Sequence, residues 1–262
     1  MDRLCIVIPA YNEEKRIART LEVYSSFFDR IKNKDLDYTL FVIINNTQDR
    51  TAEIVKSFAN KNKHIKFVNL IKGGKGFAVM EGFKIAFKDK KNFDLIGFVD
   101  ADLATPPEAF YDLVRNIKNY DGAIANRHIP SAIIEPKPSS LRKLASLGFI
   151  SVVRALFFMP FSDTQCGAKL FKRKAIQELI QHQVQSNWAF DLNILYILHK
   201  KGFRIKEIPA HWRDIKDSKL KVGKVSIQMF LAVLQLRIIN SSFRRILRPL
   251  KIFISPIWEA VK

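Results

Sequence analysis

Cysteine is scarce. Cys5 and Cys166 are the only two in 262 residues, too few for a disulfide framework and not spaced as a C-x-x-C pair. That usage predicts a reducing, cytoplasmic compartment. Uncharged apolar runs of about 18 residues are absent, so no spanning helix is expected. Met1-Asp2-Arg3 leads straight into a short apolar run, without the form of a signal peptide. There is no repeat or low-complexity tract, and 48% of the residues are hydrophobic, which excludes general disorder. Acid is also in short supply: 25 Asp+Glu stand against 44 Lys+Arg, a net charge of +19. An excess of this size attracts nucleic acid, an anionic membrane or phosphorylated substrates, unless it merely makes a basic, soluble surface.

The position of the charge narrows that choice. From His211 to Lys262 there are 11 Lys+Arg and 3 Asp+Glu, a balance of 11 − 3 = +8, interleaved with Met229, Phe230, Leu231, Leu234, Leu236, Ile238, Ile239 and Phe243. Basic and apolar residues mixed in this way suit a lipid headgroup layer better than a DNA groove. No RNA-binding aromatic motif or basic recognition helix is present, so nucleic acid is not an expected partner.

Along the first half, strand and helix patterns alternate. Cys5–Ala10, Thr39–Ile44, Ile65–Leu70 and Leu95–Asp100 are short apolar runs of the kind buried on both faces of a largely parallel sheet. Ile17, Leu21, Tyr24 and Phe28 recur at helical spacing after Asn12, a candidate N-cap. Further helices are expected from Asp49 through Phe58 and from Gly76 through Phe87. The alternation predicts a Rossmann-like α/β sandwich, with ligands at the carboxyl ends of its strands. The second half reads as a strand at Asp121–Asn126, a loop with three prolines at Ile129–Pro138, and an amphipathic helix at Arg142–Phe158. A strand at Cys166–Phe171 follows, then a helix to about Gln183, another over Trp188–Lys200, and a strand at Phe203–Ala210. Residues 1–222 are read as the catalytic domain and 223–262 as a basic amphipathic, membrane-associated segment with helices.

Phe98-Val99-Asp100-Ala101-Asp102-Leu103 is the strongest local signal for chemistry. Two carboxylates one residue apart at a strand end repel each other unless a cation or donor neutralises them. Mg²⁺ or Mn²⁺ fits, because hard cations take carboxylate oxygens and share their other sites with substrate phosphates. A pair of solvated turn aspartates is the alternative for an isolated D-x-D; the strand end favours the metal. Pro9-Ala10-Tyr11-Asn12-Glu13-Glu14 offers a fixed backbone, a flat ring for a base and a carboxylate for ribose hydroxyls, or else a strand terminus with a helix cap. Lys72-Gly73-Gly74-Lys75-Gly76 precedes a helix, where backbone N–H groups can approach an anion. It lacks P-loop spacing and also reads as a plain glycine turn.

In order along the chain, these motifs resemble the inverting family 2 glycosyltransferases, specifically the polyprenyl-phosphate hexose synthases. The resemblance runs over about residues 4–222. It is carried by Ile8–Glu13, Asn45–Thr51, Gly74–Gly76, Asp100–Glu108, Ala125–Arg127, Asp163–Lys169, Trp188–Asp191 and Trp212–Asp214, with Ser218-Lys219 after them. It implies a GT-A fold, a Rossmann-like α/β/α sandwich with a mixed central sheet. The implied reaction moves a hexose from a UDP- or GDP-sugar to a polyprenyl phosphate at the inner, cytoplasmic face of a membrane. Asp163–Lys169 is nearest the glucosyl branch, which favours UDP-glucose or a related UDP-sugar.

By position, Pro9, Tyr11 and Glu13 would hold the nucleoside, with Ala10, Asn45, Lys75 and Ala101 completing the nucleotide-sugar set. Asp100 and Asp102 would bind Mg²⁺ or Mn²⁺ on the donor diphosphate. Arg127 and Lys219 would bind phosphates of donor or acceptor. Asp163, Gln165 and Asp191 would line the sugar and acceptor pocket, with Asp191 orienting a hydroxyl or acting as base. Two positions depart from the family: Ile44-Asn45 replaces an acidic pair, and Ala104 replaces a Gln that serves the metal shell. Leu147–Phe161, with Arg154 as its one charge, is short enough to lie in a membrane interface; a core helix is the alternative. A membrane-protein partner is a further expectation. A glycosyltransferase for a surface polysaccharide and a catalytically degenerate basic scaffold are the rival readings.

Overall fold

The structure, a computed structural model, describes residues 2–31, 36–182, 184, 189–213 and 222–240. Strands β1 (Asp2–Ala10), β2 (Leu36–Asn45), β3 (Ile65–Leu70) and β4 (Leu95–Val99) alternate with helices α1 (Ile17–Ile31), α2 (Thr51–Lys61) and α3 (Lys75–Lys88). Then come α4 (Pro107–Asn116), β5 (Gly122–Asn126), β6 (Ile133–Glu135) and α5 (Ser140–Phe157). The remaining elements are β7 (Ala168–Lys172), α6 (Arg173–Gln181), α7 (Phe190–Lys200), β8 (Ile205–Pro209), β9 (His211–Arg213) and α8 (Val222–Ile239).

Seven strands form one sheet in the order β3-β2-β1-β4-β7-β5-β8. β7 runs antiparallel to both its neighbours, while the other pairings are parallel. The sheet is therefore mixed, as the resemblance implies. β1, β2 and β4 end at the same edge, because Ala10 pairs with Ile44 and Val7 with Phe98. Val99 pairs with Ala168, so the turn after β4 meets the entry to β7. Apolar residues of α1, α2 and α4 pack on one face, and those of α3, α6 and α7 on the other. Both faces are covered, which is why the central strands read as continuous apolar runs rather than alternating ones.

Three expectations are corrected. The prolyl loop at 129–138 contains β6, which pairs in parallel with β9 as a separate small sheet. Three residues whose partner lies far along the chain leave no periodic signal. Asn12 does not cap a helix: α1 begins at Ile17, and Asn12 itself has φ +53°. The C-terminal helix is apolar nearly all round, with Lys224 and Arg237 as its charges, rather than amphipathic. Ala232, Val233 and Leu236 are buried in the same cluster as residues of α5 and α7, so α8 packs on the catalytic body. Residues 241–262, the rest of that segment, lie outside the described residues.

α8 spans 18 residues, about 27 Å at 1.5 Å per residue. Among the described residues, no helix is long and apolar enough to cross a membrane. α5 buries Val153 and Phe157 while Leu144 (68%) and Leu147 (56%) remain exposed, as does Phe158 (78%) just beyond it. α5 is thus a core helix on the side of Val153 and Phe157 and open on the side of Leu144 and Leu147.

The contrast between two glycines tests the packing. A Cβ on Gly97 in β4 would lie 2.5 Å from the Lys169 carbonyl oxygen, whereas one on Gly148 in α5 would meet nothing within 4 Å. Gly97→Ala is expected to destabilise the protein by about 1–3 kcal/mol, and Gly148→Ala to stabilise it by roughly 0.5–1 kcal/mol, measured by urea denaturation.

Candidate active site

The loops after β1 and β2 are zipped together by side chains. Asn12 Oδ1 accepts from the Gln48 backbone N–H at 2.9 Å and from Thr47 Oγ1 at 3.1 Å. The backbone N–H groups of Glu13 and Glu14 donate to Thr51 Oγ1 (2.8 Å) and Asp49 Oδ2 (3.1 Å). Asp49 also accepts from Thr47 Oγ1 and from the Thr51 hydroxyl and N–H. Those donors outweigh its partial burial and lower its carboxyl to about 2. Pro9 and Ala10 are buried at the end of β1, leaving Tyr11 at the rim with 53% exposure. The Glu13 carboxylate is held by Arg16, at 2.6 Å from Nε and 2.8 Å from Nη2.

Asn45 explains its own departure from an acidic residue. It is buried, and with its amide turned to satisfy both neighbours it donates to the Ala10 carbonyl (2.9 Å) and accepts from the Gly74 N–H (3.1 Å). A carboxylate could not donate to that carbonyl. Asn45, predicted to contact the nucleotide, therefore joins the end of β1 to the glycine loop. Its neighbour Asn46 has φ +53° and continues the same turn.

The turn after β4 is fixed from below. Thr20 Oγ1 and the Tyr24 hydroxyl, both buried on α1, donate to the carbonyls of Ala101 (2.6 Å) and Thr105 (2.8 Å). Asp102 Oδ1 accepts from the Ala104 N–H at 2.9 Å, and the Arg213 N–H on β9 donates to the Ala104 carbonyl at 2.8 Å. Leu103 completes the turn at φ +62°. Ala104 is thus a backbone link to the second sheet. Asp100 lies beside Lys75, with Oδ1 2.5 Å from Nζ.

Beyond the turn, further acids and bases converge. Asp163 is 2% exposed. Its Oδ2 accepts from the Arg127 N–H (3.0 Å) and Nε (2.8 Å), and its Oδ1 from Arg127 Nη2 and from the N–H groups of Gln165 and Cys166. Arg127 holds the Asp163 carboxyl below the usual range despite burial, and Asp163 with its neighbours keeps the guanidinium charged. With both oxygens engaged in this way, Asp163 orients Arg127. Gln165 Nε2 is buried without a hydrogen-bond partner among the described residues. Asp191 opens α7 and its Oδ1 meets Lys169 Nζ at 2.6 Å, both groups being buried. Burial raises the Asp191 carboxyl, with the ammoniums of Lys169 and Lys75 pulling the other way. Lys219 and Trp188 lie outside the described residues.

Lys169 had no role in the sequence reading. The signal was available: a lysine inside the apolar strand Ala168–Phe171 cannot stay buried and charged without a partner. Its ammonium also donates to the Cys166 carbonyl (2.6 Å) and sits 5.3 Å from the Phe98 ring centroid.

The site's electrostatics fit a divalent cation. Burial and the charge of Asp100 raise the Asp102 carboxyl. Burial also raises Glu13, and the charges of Asp102 and Asp100 add to this against the pull of Arg16. Acids that raise one another's proton affinity mark negative charge that a hard cation would relieve. No group of three His, Cys, Asp or Glu side chains positioned to ligate a metal occurs among the described residues. Two carboxylates with phosphate oxygens and waters are the donor set that Mg²⁺ or Mn²⁺ accepts.

Comparison with known proteins agrees with this arrangement. The family described as Glycosyl transferase family 2 matches residues 5–180. A dolichyl-phosphate beta-glucosyltransferase of Trichomonas vaginalis is 34% identical over 242 residues, which is 88% of this chain and 70% of that protein. The enzyme of the same name from Dictyostelium discoideum is 32% identical, covering 89% and 73%, and that from Homo sapiens 29% identical, covering 92% and 78%. Among solved structures, glucosyl-3-phosphoglycerate synthase from Mycobacterium tuberculosis in complex with UDP superposes with a TM-score of 0.66 at 16% identity, over 92% of this chain and 82% of that one. The same synthase with Mn²⁺, UDP and phosphoglyceric acid gives 0.65 at 15% identity, over 92% and 80%. These structural likenesses establish a shared GT-A fold.

The zipped loops carry a pH signature. A carboxyl lowered from 3.8 to about 2 in the fold contributes about 2 kcal/mol of stability. That contribution is complete above the unfolded value and disappears as the pH falls through the folded one. The stability gap between wild type and Asp49→Asn is therefore expected to be constant above about pH 5 and to narrow by up to about 2 kcal/mol toward pH 2, followed by urea denaturation at stepped pH.

Proposed function

This chain belongs to glycosyl transferase family 2, and from that premise we propose that it transfers glucose from UDP-glucose to a polyprenyl phosphate of the dolichyl type at a membrane surface. The observation that carries the reading is the half-buried Asp100/Asp102 pair at the tip of β4, at the edge where β1 and β2 also end. The relatives' names supply the acceptor class and the sugar.

In this reading the base lies against Tyr11, in the corner made by the zipped loops and the buried end of β1. Two neutral amides, Asn46 and Gln48, stand at that corner. An amide offers both a donor and an acceptor, as the imide edge of uracil requires, while adjacent donors such as those of guanine are best met by a carboxylate. Asp49, the acid nearest them in sequence, is engaged by Thr47, Thr51 and Glu14. Asp100 and Asp102 would hold Mg²⁺ or Mn²⁺ on the donor diphosphate, where the ion supplies Lewis-acid stabilisation of the leaving group. Gln165 Nε2, without a partner among the described residues, is a donor for the sugar or the acceptor phosphate.

The acceptor needs no strong base. A phosphate monoester with a second pKa of about 6 is already mostly dianionic near neutrality, so the protein's task is placement and charge neutralisation. Arg127, oriented by Asp163, and Lys219 reduce repulsion between anionic acceptor and donor. Asp191, held by Lys169, orients a sugar hydroxyl. Attack on the face opposite the leaving diphosphate inverts the anomeric centre and gives a β-linked product from an α-linked donor.

The lipid reaches this site from a surface, not from bulk water. Leu144, Leu147 and Phe158 form an exposed apolar face on and just after α5, with Lys143 exposed beside them. Each basic residue near anionic lipid adds on the order of 1 kcal/mol, and the +19 charge of the chain supplies many. We place the protein on the cytoplasmic face, with 223–262 as a second contact or a docking element for a membrane partner.

The test is incubation of the full chain with labelled UDP-glucose or GDP-mannose, a short polyprenyl phosphate in detergent, and Mn²⁺, Mg²⁺ or chelator. Metal-dependent label in the lipid extract from UDP-glucose is expected. Asp102→Asn should lower kcat by about 10²–10³-fold with an unchanged unfolding curve. Release of UDP without labelled lipid, or full turnover in Asp102→Asn, overturns the reading.

A further inference from the structure

Asp100 is short of a free oxygen. Its Oδ1 is 2.5 Å from Lys75 Nζ. Its Oδ2 is pressed against Gly167 so closely that a Cβ there would lie 2.1 Å from Oδ2 and 2.5 Å from Cγ. The antiparallel β4–β7 register creates that contact, and only a residue without a side chain tolerates it. A metal ion at Oδ1 of Asp100 therefore competes with the Lys75 ammonium for that oxygen.

Lys75 is also an odd residue for its own position. It is the first residue of α3, after Gly74 at φ +119°. A helix N-terminus disfavours a cation and favours an anion. Against the cost of desolvation, the carboxylates of Asp100 and Asp191 hold the ammonium charged, with the lysine side chain still 41% exposed. Around it stand the Phe190 and Phe98 rings, with centroids 5.7 Å and 6.0 Å from Nζ. These rings cushion a cation without gripping it as a second short ion pair would.

We propose that Lys75 is a built-in counter-ion which occupies the cation seat at Asp100, so that divalent metal binds tightly only together with the donor diphosphate. The diphosphate approaches the glycine loop and the α3 N-terminus and draws the ammonium off Asp100 as its own counter-ion. The carboxylate is then released to the metal. The free protein stays neutralised without metal, and metal and nucleotide each raise the other's affinity by the same factor. Lys75 thereby acts as a positioning residue that couples two ligands. The inference rests on the metal-site reading above.

Free Mn²⁺ is titrated by electron paramagnetic resonance against the full chain, with and without UDP. Wild type is expected to bind Mn²⁺ weakly alone and at least about tenfold more tightly with UDP. Lys75→Met should bind Mn²⁺ alone about tenfold more tightly than wild type, and UDP should add correspondingly less. Lys75→Arg keeps the charge and should bind Mn²⁺ alone as weakly as wild type, which guards against misfolding of the methionine variant. If Lys75→Met binds Mn²⁺ alone no better than wild type, or less well, Lys75 is a permanent strut for Asp100 and the inference fails. If wild type binds no Mn²⁺ even with UDP, the metal-site reading itself fails.

Discussion

Carboxylates gathered at one edge of a sheet repel one another, and this site exists because the chain threads its own cations between them. Lys75 stands at Asp100, Lys169 at Asp191, Arg127 at Asp163 and Arg16 at Glu13. Three of these pairings join segments from different places: a helix start to a strand end, a buried strand to a helix start, and a β5 loop to the approach to β7; Arg16 and Glu13 are three residues apart. Removing one partner of a buried pair leaves an uncompensated charge, which costs more than the pair itself contributes. The edge therefore behaves as a single electrostatic unit. The Asp100/Asp102 turn has one lysine for two carboxylates and so keeps negative charge that an external cation could meet.

The fold was legible where local periodicity and burial agree. β1, β2 and β4 are largely apolar on both faces because helices cover both faces of the sheet, and they read as such within a few residues; β3, at the sheet edge, is only partly buried. The antiparallel direction of β7 was not legible. Nothing within Ala168–Lys172 encodes its orientation, which follows from where α5 returns the chain. β6 and β9 were hidden for the same reason, since each pairs with a strand far along the chain. For α8, a high apolar content on every side spoke of burial, while the basic residues of the whole segment drew the reading toward a lipid surface. Ala232, Val233 and Leu236 are buried in the core.

The candidate site was legible in its membership more than in its roles. Asp100, Asp102, Arg127, Asp163, Gln165 and Asp191 do converge, because motif order along the chain maps onto loops at one sheet edge. Which atoms face a ligand depends on hydrogen bonds between loops distant in sequence. Asp163 illustrates this: its two oxygens accept five hydrogen bonds from Arg127, Gln165 and Cys166, which no local pattern announces. Asn45 shows the converse, a departure that looked like a lost ligand contact and is a gained structural one. Lys169 escaped notice because its partner Asp191 lies on another element.

The neutral amide at Asn45 bears on how the glycine loop keeps its place. Gly74, at φ +119°, must present its backbone N–H inward for Asn45 to accept it, and the Ala10 carbonyl must face the same amide. One side chain thus sets the spacing between the β1 end, where the base would lie, and the α3 start, where the diphosphate would lie. A carboxylate at that point would repel both the Ala10 carbonyl and an incoming phosphate. An amide removes the negative charge and keeps the geometry, in a corner where Asp100, Asp102 and Glu13 already supply enough. The loss of an acidic residue is therefore consistent with retained donor binding, because the charge balance of the edge is set by Asp100 and its lysine.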